Sequence, residues 1–319
     1  MKRVLFAACV LIGSLFYSTI APAQTQTESG ALLQQMNSAS RSLNYELSFI
    51  NITQQGFESV RYRHARLNNR SLAQLVLMDG PRREIVQRGN EISYFDSGLE
   101  PFTLVGDHIV DSLPALVYAD FKKLAMFYDF VPADGRVRIA DRLAVGIRII
   151  SRDATRYSYA VWIDAQSKLP LRIDLQDRNG ERLEQFLATS LIINDEIVEA
   201  LRPLDKVDLP PSLPAPTPEN DNFAWSAEWL PVGMKEISHS RRILPGSNLP
   251  IEMRLYSDGL FSFSINVSPV PEVRPEQAIR NGRRSIYTEI RNNNEITVVG
   301  EIPPDTAKRI ADNIIQKAQ

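Results

Sequence analysis

The chain has 319 residues, 44% hydrophobic and 23% charged, with 36 lysines and arginines against 38 aspartates and glutamates. That length and apolar content suit two globular domains, and a formal charge of -2 offers no basic field for nucleic acid. One cysteine and three histidines leave little material for a disulfide scaffold, a metal centre or thiol chemistry.

Lys2 and Arg3 precede an uncharged run from Val4 to Ile20 that ends in Ala21, Pro22 and Ala23, a small-x-small pattern. Residues 1–23 therefore read as a cleaved secretory signal, with the exported chain starting at Gln24. Gly13, Ser14, Ser18 and Thr19 interrupt the run too often for a spanning helix, which needs about 20 predominantly apolar residues. Cleavage would remove Cys9, so stability has to come from buried apolar area rather than a disulfide.

Leu32, Leu33 and Met36 recur at helical spacing and predict a short amphipathic helix over Gly30–Ser40. Strands follow. Leu43, Tyr45, Leu47 and Phe49 alternate with polar residues, and Phe57–Leu67, Leu72–Met78, Arg82–Arg88 and Glu91–Asp96 continue the two-residue period. Gly89-Asn90 between the last two suits a tight hairpin. Leu113–Phe130 carries Leu116, Val117, Phe121, Leu124, Met126, Phe127 and Phe130 and predicts a helical region, and Thr155–Asn194 reads as a three-stranded meander with turns at Ala165–Lys168 and Asp177–Gly180. Short turns between consecutive strands favour an open, curved, barrel-like antiparallel sheet over residues 24–208 rather than a doubly wound fold.

Five prolines between Leu209 and Pro218 mark an interdomain linker over 209–220. In residues 221–319, Met253–Val267 reads as a hairpin turning at Asp258-Gly259, Pro275–Arg284 as a short helix, Glu295–Gly300 as a strand and Asp305–Lys317 as a terminal helix. The second domain is thus a smaller α+β unit, and the fold class of the whole is α+β.

No nucleophile elbow, phosphate-cradling glycine loop or HExxH pattern occurs, so no catalysis, metal or cofactor is expected. His64, among Arg61, Arg63 and Arg66, reads as a surface residue. The clusters Arg61/Arg63/Arg66, Arg82/Arg83/Arg88, Arg136/Arg138/Arg142, Arg241/Arg242 and Arg280/Arg283/Arg284 suit an anionic partner, carboxylate or phosphate. They equally suit alternate strand positions that face water. Aromatics such as Phe121, Phe127 and Phe130 would line an acyl-chain cavity or fill an ordinary core.

Beyond these generic signals, Asn44–Ile50, Tyr62–Leu67, Asp79–Glu84, Asp111–Pro114, Arg254–Ser264 and Pro303–Ala311 resemble the RseB/MucB family over nearly the whole exported chain. The resemblance implies a periplasmic regulator of the sigma-E envelope stress response that binds the periplasmic domain of the anti-sigma factor RseA and shields it from DegS. Mislocalised lipopolysaccharide or lipid A would displace it, and self-association is expected. It also implies a first domain similar to LolA-type lipoprotein carriers, a curved sheet holding helices on its concave side. On this reading Arg254, Tyr256, Phe261, Phe263, Arg283 and Arg284 are candidate partner contacts, because aromatics and arginines dominate interfaces. Arg82, Arg83, Leu116, Phe121, Phe127 and Phe130 are candidate lipid contacts. The alternative is a carrier of lipid or lipoprotein, which would leave the second domain without a task; an enzyme acting on envelope components comes third.

Overall fold

The computed structural model describes residues 22–214, 222–243, 249–270 and 275–316. The expected signal lies almost wholly outside them. Helix α1 (Pro22–Ser42) is twice the length expected and buries Leu33 and Met36 completely. Two antiparallel meanders follow: β1 (Tyr45–Thr53), β2 (Gly56–Leu67), β3 (Arg70–Leu77), β4 (Arg83–Arg88), β5 (Glu91–Asp96) and β6 (Phe102–Val105), then β7 (Tyr128–Ile139), β8 (Arg142–Ser151), β9 (Ser158–Asp164), β10 (Pro170–Gln176) and β11 (Arg182–Ile193). They join through β1 against β11, so one 11-stranded sheet runs from β6 at one edge to β7 at the other without closing. The alternation that predicts β1 is realised, with Tyr45, Leu47 and Phe49 facing α1 and the core. Asn68-Asn69, Ala140-Asp141 and Asn292-Asn293 all take positive φ and make tight hairpins, with Gly89 doing the same before Asn90.

Leu113–Phe130 is not one helix. Pro114 starts a single 3-10 turn over Ala115–Tyr118, Asp120 caps the four-residue α2 (Phe121–Leu124), and Phe130 already lies in β7. Both short helices lie with α1 in the concave side of the sheet, and Leu116, Val117, Phe121 and Leu124 are buried there. Helix α3 (Glu196–Leu201) packs Ile197 and Leu201 on Ala65 and Leu72 at the other face.

The first part of the proline segment is tied down rather than free. Thr103 in β6 donates its N–H to Pro211 O (3.0 Å), accepts from Leu213 N (2.8 Å) and donates its hydroxyl to Pro210 O (2.8 Å), so Pro210–Leu213 runs as a strap along the sheet edge. That covers backbone groups which would otherwise template association. At the other edge, a bulge between Pro132 and Arg136 interrupts the β7–β8 ladder.

Beyond the strap, β12 (Trp225–Ala227) pairs with β19 (Ile314–Gln316), and β13 (Lys235–Ile243), β14 (Pro250–Ser257), β15 (Ser262–Pro269), β16 (Gln277–Asn281), β17 (Arg284–Arg291) and β18 (Asn294–Gly300) form a six-stranded antiparallel sheet. Helix α4 (Pro304–Asp312) buries Ala307, Ile310 and Ala311 against it. The expected hairpin of β14 and β15 is present, but the expected helix over Pro275–Arg284 is a strand, turn and strand. Its two adjacent apolar residues, Ala278 and Ile279, cannot make a helical stripe, whereas Gly282 at positive φ closes a hairpin. A single apolar cluster runs from Leu33 in α1 through Tyr159 and Phe261 to Ile310 in α4, so the two domains share one continuous core.

Candidate functional site

Two features stand out: the seam where the second sheet meets the first, and an apolar groove beside it. At the centre of the seam, Arg156 and Asp258 form an ion pair (Nε to Oδ2, 2.9 Å) with both side chains 0% exposed. Nε lacks hydrogen-bond geometry toward any acceptor, so that contact is ionic rather than a directed bond. Tyr128 donates its hydroxyl to the same Asp258 Oδ2 (2.5 Å), and the Arg156 guanidinium lies 5.3 Å from the centre of the Tyr128 ring. Burial, followed by the Asp258 carboxylate, pushes the Tyr128 phenol far above its ordinary range, so it stays a donor. Asp258 Oδ1 accepts from the N–H groups of Leu260 and Phe261, which makes the tip of the β14–β15 hairpin part of the same cluster.

Asp153 adds a second counter-charge to Arg156 (2.9 Å) and accepts Val232 N–H from across the seam (3.1 Å). Around this centre, Phe261 stacks on Tyr159 (5.3 Å), Thr306 donates its hydroxyl to Thr155 O (2.8 Å), and Gly282 N–H meets Gln54 Oε1 (3.2 Å). Arg283 bridges Glu184 (3.4 Å) in the first domain and Glu301 (2.8 Å) in the second. Burial raises Glu184 above the usual carboxylate range, with Arg283 opposing and Glu301 reinforcing the shift. Gly233, at φ +93°, lies so close to Phe127 that a Cβ would sit 2.7 Å from the ring.

The groove has a volume of about 650 Å³ and runs between α1 and the α2–β7 region. Gly30, Ala31, Phe121, Ala125 and Phe130 give it an apolar lining, and Lys122 and Arg152 place cations at it. A second cavity of about 330 Å³ opens on the concave face at the seam, where Glu58, Arg83, Asp111, Glu184 and Arg283 provide its charged groups.

Of the candidate lipid residues, Phe121 and Phe130 meet at the groove in an edge contact of 5.9 Å, and Arg83 lies in the seam cavity, paired with Asp96 (2.9 Å). Leu116 is buried in the core, Phe127 packs at Gly233, and the Arg82 side chain is 85% exposed at the sheet rim. Of the candidate partner residues, Tyr256, Phe261 and Phe263 are all buried packing groups. Arg254 pairs with Glu236 and sits over the rings of Phe223 and Trp225; Arg283 is the seam bridge and Arg284 is exposed. His64 is not a surface residue: it is 4% exposed, hydrogen-bonded through Nδ1 to Leu43 O, and held below its ordinary range by burial. Most of the arginine clusters are neutralised by neighbouring acids, as in Arg63–Glu46, Arg88–Glu91, Arg142–Asp164 and Arg241–Glu252. Sequence reasoning takes Tyr128 only as one more cavity or core aromatic and misses Asp153 and Arg156, whose only signal is that they are charged residues flanking an aromatic strand.

The chain matches the MucB/RseB N-terminal domain over residues 28–213 and the MucB/RseB C-terminal domain over residues 219–315. It belongs to the MucB/RseB family. The chain is 60% identical to the sigma-E factor regulatory protein RseB of Escherichia coli (strain K12), with 98% of each chain covered. It is 40% identical to the protein of the same name from Haemophilus influenzae, over 98% of this chain and 99% of that one. A solved complex of Pseudomonas aeruginosa MucA and MucB superposes on 92% of this chain and 100% of its own at a TM-score of 0.73 and 24% identity, which shows the shared fold. The first MucB/RseB match thus ends at Leu213, the last residue of the strap on β6, and the seam cluster draws its residues from both matched segments. The relatives are named as regulators. Among the described residues no helix is long and apolar enough to cross a membrane.

Proposed function

We propose that the chain is an exported periplasmic regulator that binds the periplasmic domain of the anti-sigma factor RseA, shields it from DegS and so keeps sigma-E inactive. In this reading residues 1–23 are the leader, 24–208 the lipid-sensing domain, 209–220 the linker and 221–319 the partner-binding domain. The observation that carries it is full-length correspondence, both domains included, with regulators of sigma-E. Mislocalised lipopolysaccharide or lipid A would release RseA. The apolar groove supports that step, since Gly30, Ala31 and Ala125, backed by the buried rings of Phe121 and Phe130, offer an apolar wall to an acyl chain while Lys122 offers charge to phosphate. Arg284, exposed on the second domain, is the predicted partner contact least committed to the protein's own packing.

The test is cleavage of a purified RseA periplasmic domain by DegS, with and without this protein and lipid A. Protection that lipid A reverses is the expected result. Failure to bind RseA, together with stoichiometric lipid transfer to acceptor membranes, would replace the regulator with a carrier.

A further inference from the structure

We infer that the buried Tyr128–Asp258–Arg156 cluster is a latch between the domains whose hold depends on the apolar groove, so that an alkyl chain lodged there loosens the second domain. The inference rests on reading the groove as the lipid-holding site, and it names how occupancy is passed on.

Two connections carry it. Phe130, a groove wall, stands two residues along β7 from Tyr128, on the same buried face of the strand, and Tyr128 holds Asp258 of the second domain. Phe130 also packs directly under α1, where a Cβ on Gly30 would lie 3.2 Å from its ring. A chain wedged between α1 and Phe130 therefore bears on the strand that carries the latch. The second connection runs through Arg152, which lines the groove, bonds Asp129 (2.9 Å), and precedes Asp153. Asp153 in turn holds both Arg156 and the Val232 N–H of the second domain. Groove and latch thus share two adjoining stretches of backbone. A dry cluster of this kind has no water to take over a bond that lengthens, so a small displacement costs most of its energy at once. The coupling must be reciprocal, and a loosened latch should favour the occupied groove.

The experiment is amide hydrogen exchange on the full chain with octyl glucoside, below its micelle concentration, as the probe. Reporters are Val232 and Gly282, whose N–H groups cross the seam, with amides of β9 and β18 as controls for global unfolding. Protection of the Gly30–Gln34 stretch of α1 reads groove occupancy. The expected result is that the probe protects this stretch and speeds the two seam amides about tenfold, the equivalent of ~1.4 kcal/mol of opening free energy. In Tyr128→Phe and Asp258→Asn the seam amides should exchange fast without probe and respond little to it; Tyr128→Phe, which removes one hydroxyl, keeps the test available if Asp258→Asn folds poorly. Protection of α1 with unchanged seam amides in the wild type overturns the latch and leaves the groove standing. Absence of protection in α1 removes the groove reading and the latch with it.

Discussion

Replacing Asp258 with alanine strips one of two counter-charges from a guanidinium that has no access to solvent. Breaking a buried pair from one side costs about 3–5 kcal/mol, because the survivor is left uncompensated. Asp153 still lies 2.9 Å from Arg156, which places this loss near the lower end, ~3 kcal/mol. The Tyr128 hydroxyl and the two turn N–H groups of Leu260 and Phe261 lose an acceptor as well, adding about 1 kcal/mol in a conservative count. A destabilisation near ~4 kcal/mol follows. Urea unfolding measured by circular dichroism and tryptophan fluorescence reads it, since Trp162 reports on the first domain and Trp225 and Trp229 on the second. Because the seam is what fails, the second domain should melt first and split the transition. The paired substitution Arg156→Met with Asp258→Ala should recover part of the loss, since no fully buried charge then remains in the seam and Asp153, partly exposed, keeps its bonds from Thr155 and Val232 N–H. An Asp258→Ala protein that keeps a single transition within ~1 kcal/mol of the wild type would refute the reasoning.

Gly233→Ala should destabilise by roughly 2 kcal/mol or more, with strain at φ +93° and a clash against Phe127 acting together; adding Phe127→Leu should relieve the clash alone, seen as a partial return of Tm. His64 should titrate below 6.5 by NMR, because burial resists its charge. The unfolded chain then takes up a proton before the folded one, so the His64 contribution to stability is present above pH 6.5 and is lost as pH falls toward its folded pKa; a His64→Gln variant with an unaltered pH dependence of urea midpoint would contradict this. Thr103→Val removes the hydroxyl that bonds Pro210 O and meets Ser93, and should cost about 1–2 kcal/mol and speed proteolysis within Pro210–Leu213 while the β9–β11 meander stays intact.

Much of the first sheet was legible because local rules decide it. The alternation in β1, the Gly89-Asn90 turn and the Thr155–Asn194 meander each need only neighbours in sequence. Leu113–Phe130 misled because apolar content was read without its breaks: Pro114 and Asp120 each restart the chain, and Tyr128 and Phe130 belong to a strand whose partner, β8, lies beyond a bulge. Pro275–Arg284 failed for the opposite reason, a strand too short and too exposed to show alternation. His64 looked like a surface residue among arginines, yet strand alternation places it inward beside Tyr45 and Tyr62. The candidate site was legible as residue types, not positions. Phe261 and Phe263 stand out in the sequence as aromatics suited to a partner, whereas their packing needs the fold to be seen: Phe261 stacks on Tyr159 across the seam and Phe263 on Tyr256 within the second sheet. Arg156 and Asp258 lie about 100 residues apart in sequence, where no pattern rule reaches.

The chemistry of the seam separates two tasks that an apolar interface alone would merge. Phe261 on Tyr159, within a core that continues from one sheet to the other, supplies attraction, but apolar burial is non-directional and tolerates many relative angles. The Arg156–Asp258–Tyr128 cluster tolerates few, because each displaced partner leaves a dry polar group unsatisfied. Such a pair adds little net stability over apolar side chains of the same shape. Its use is then to make one domain arrangement much better than its neighbours. That is also what would let a modest push at Phe130 tip the balance, since an interface held at one angle by a few buried bonds yields in steps rather than by gradual drift. A seam held only by Phe261 and its neighbours would slide instead, and any signal from the groove would be dissipated before it reached the second sheet.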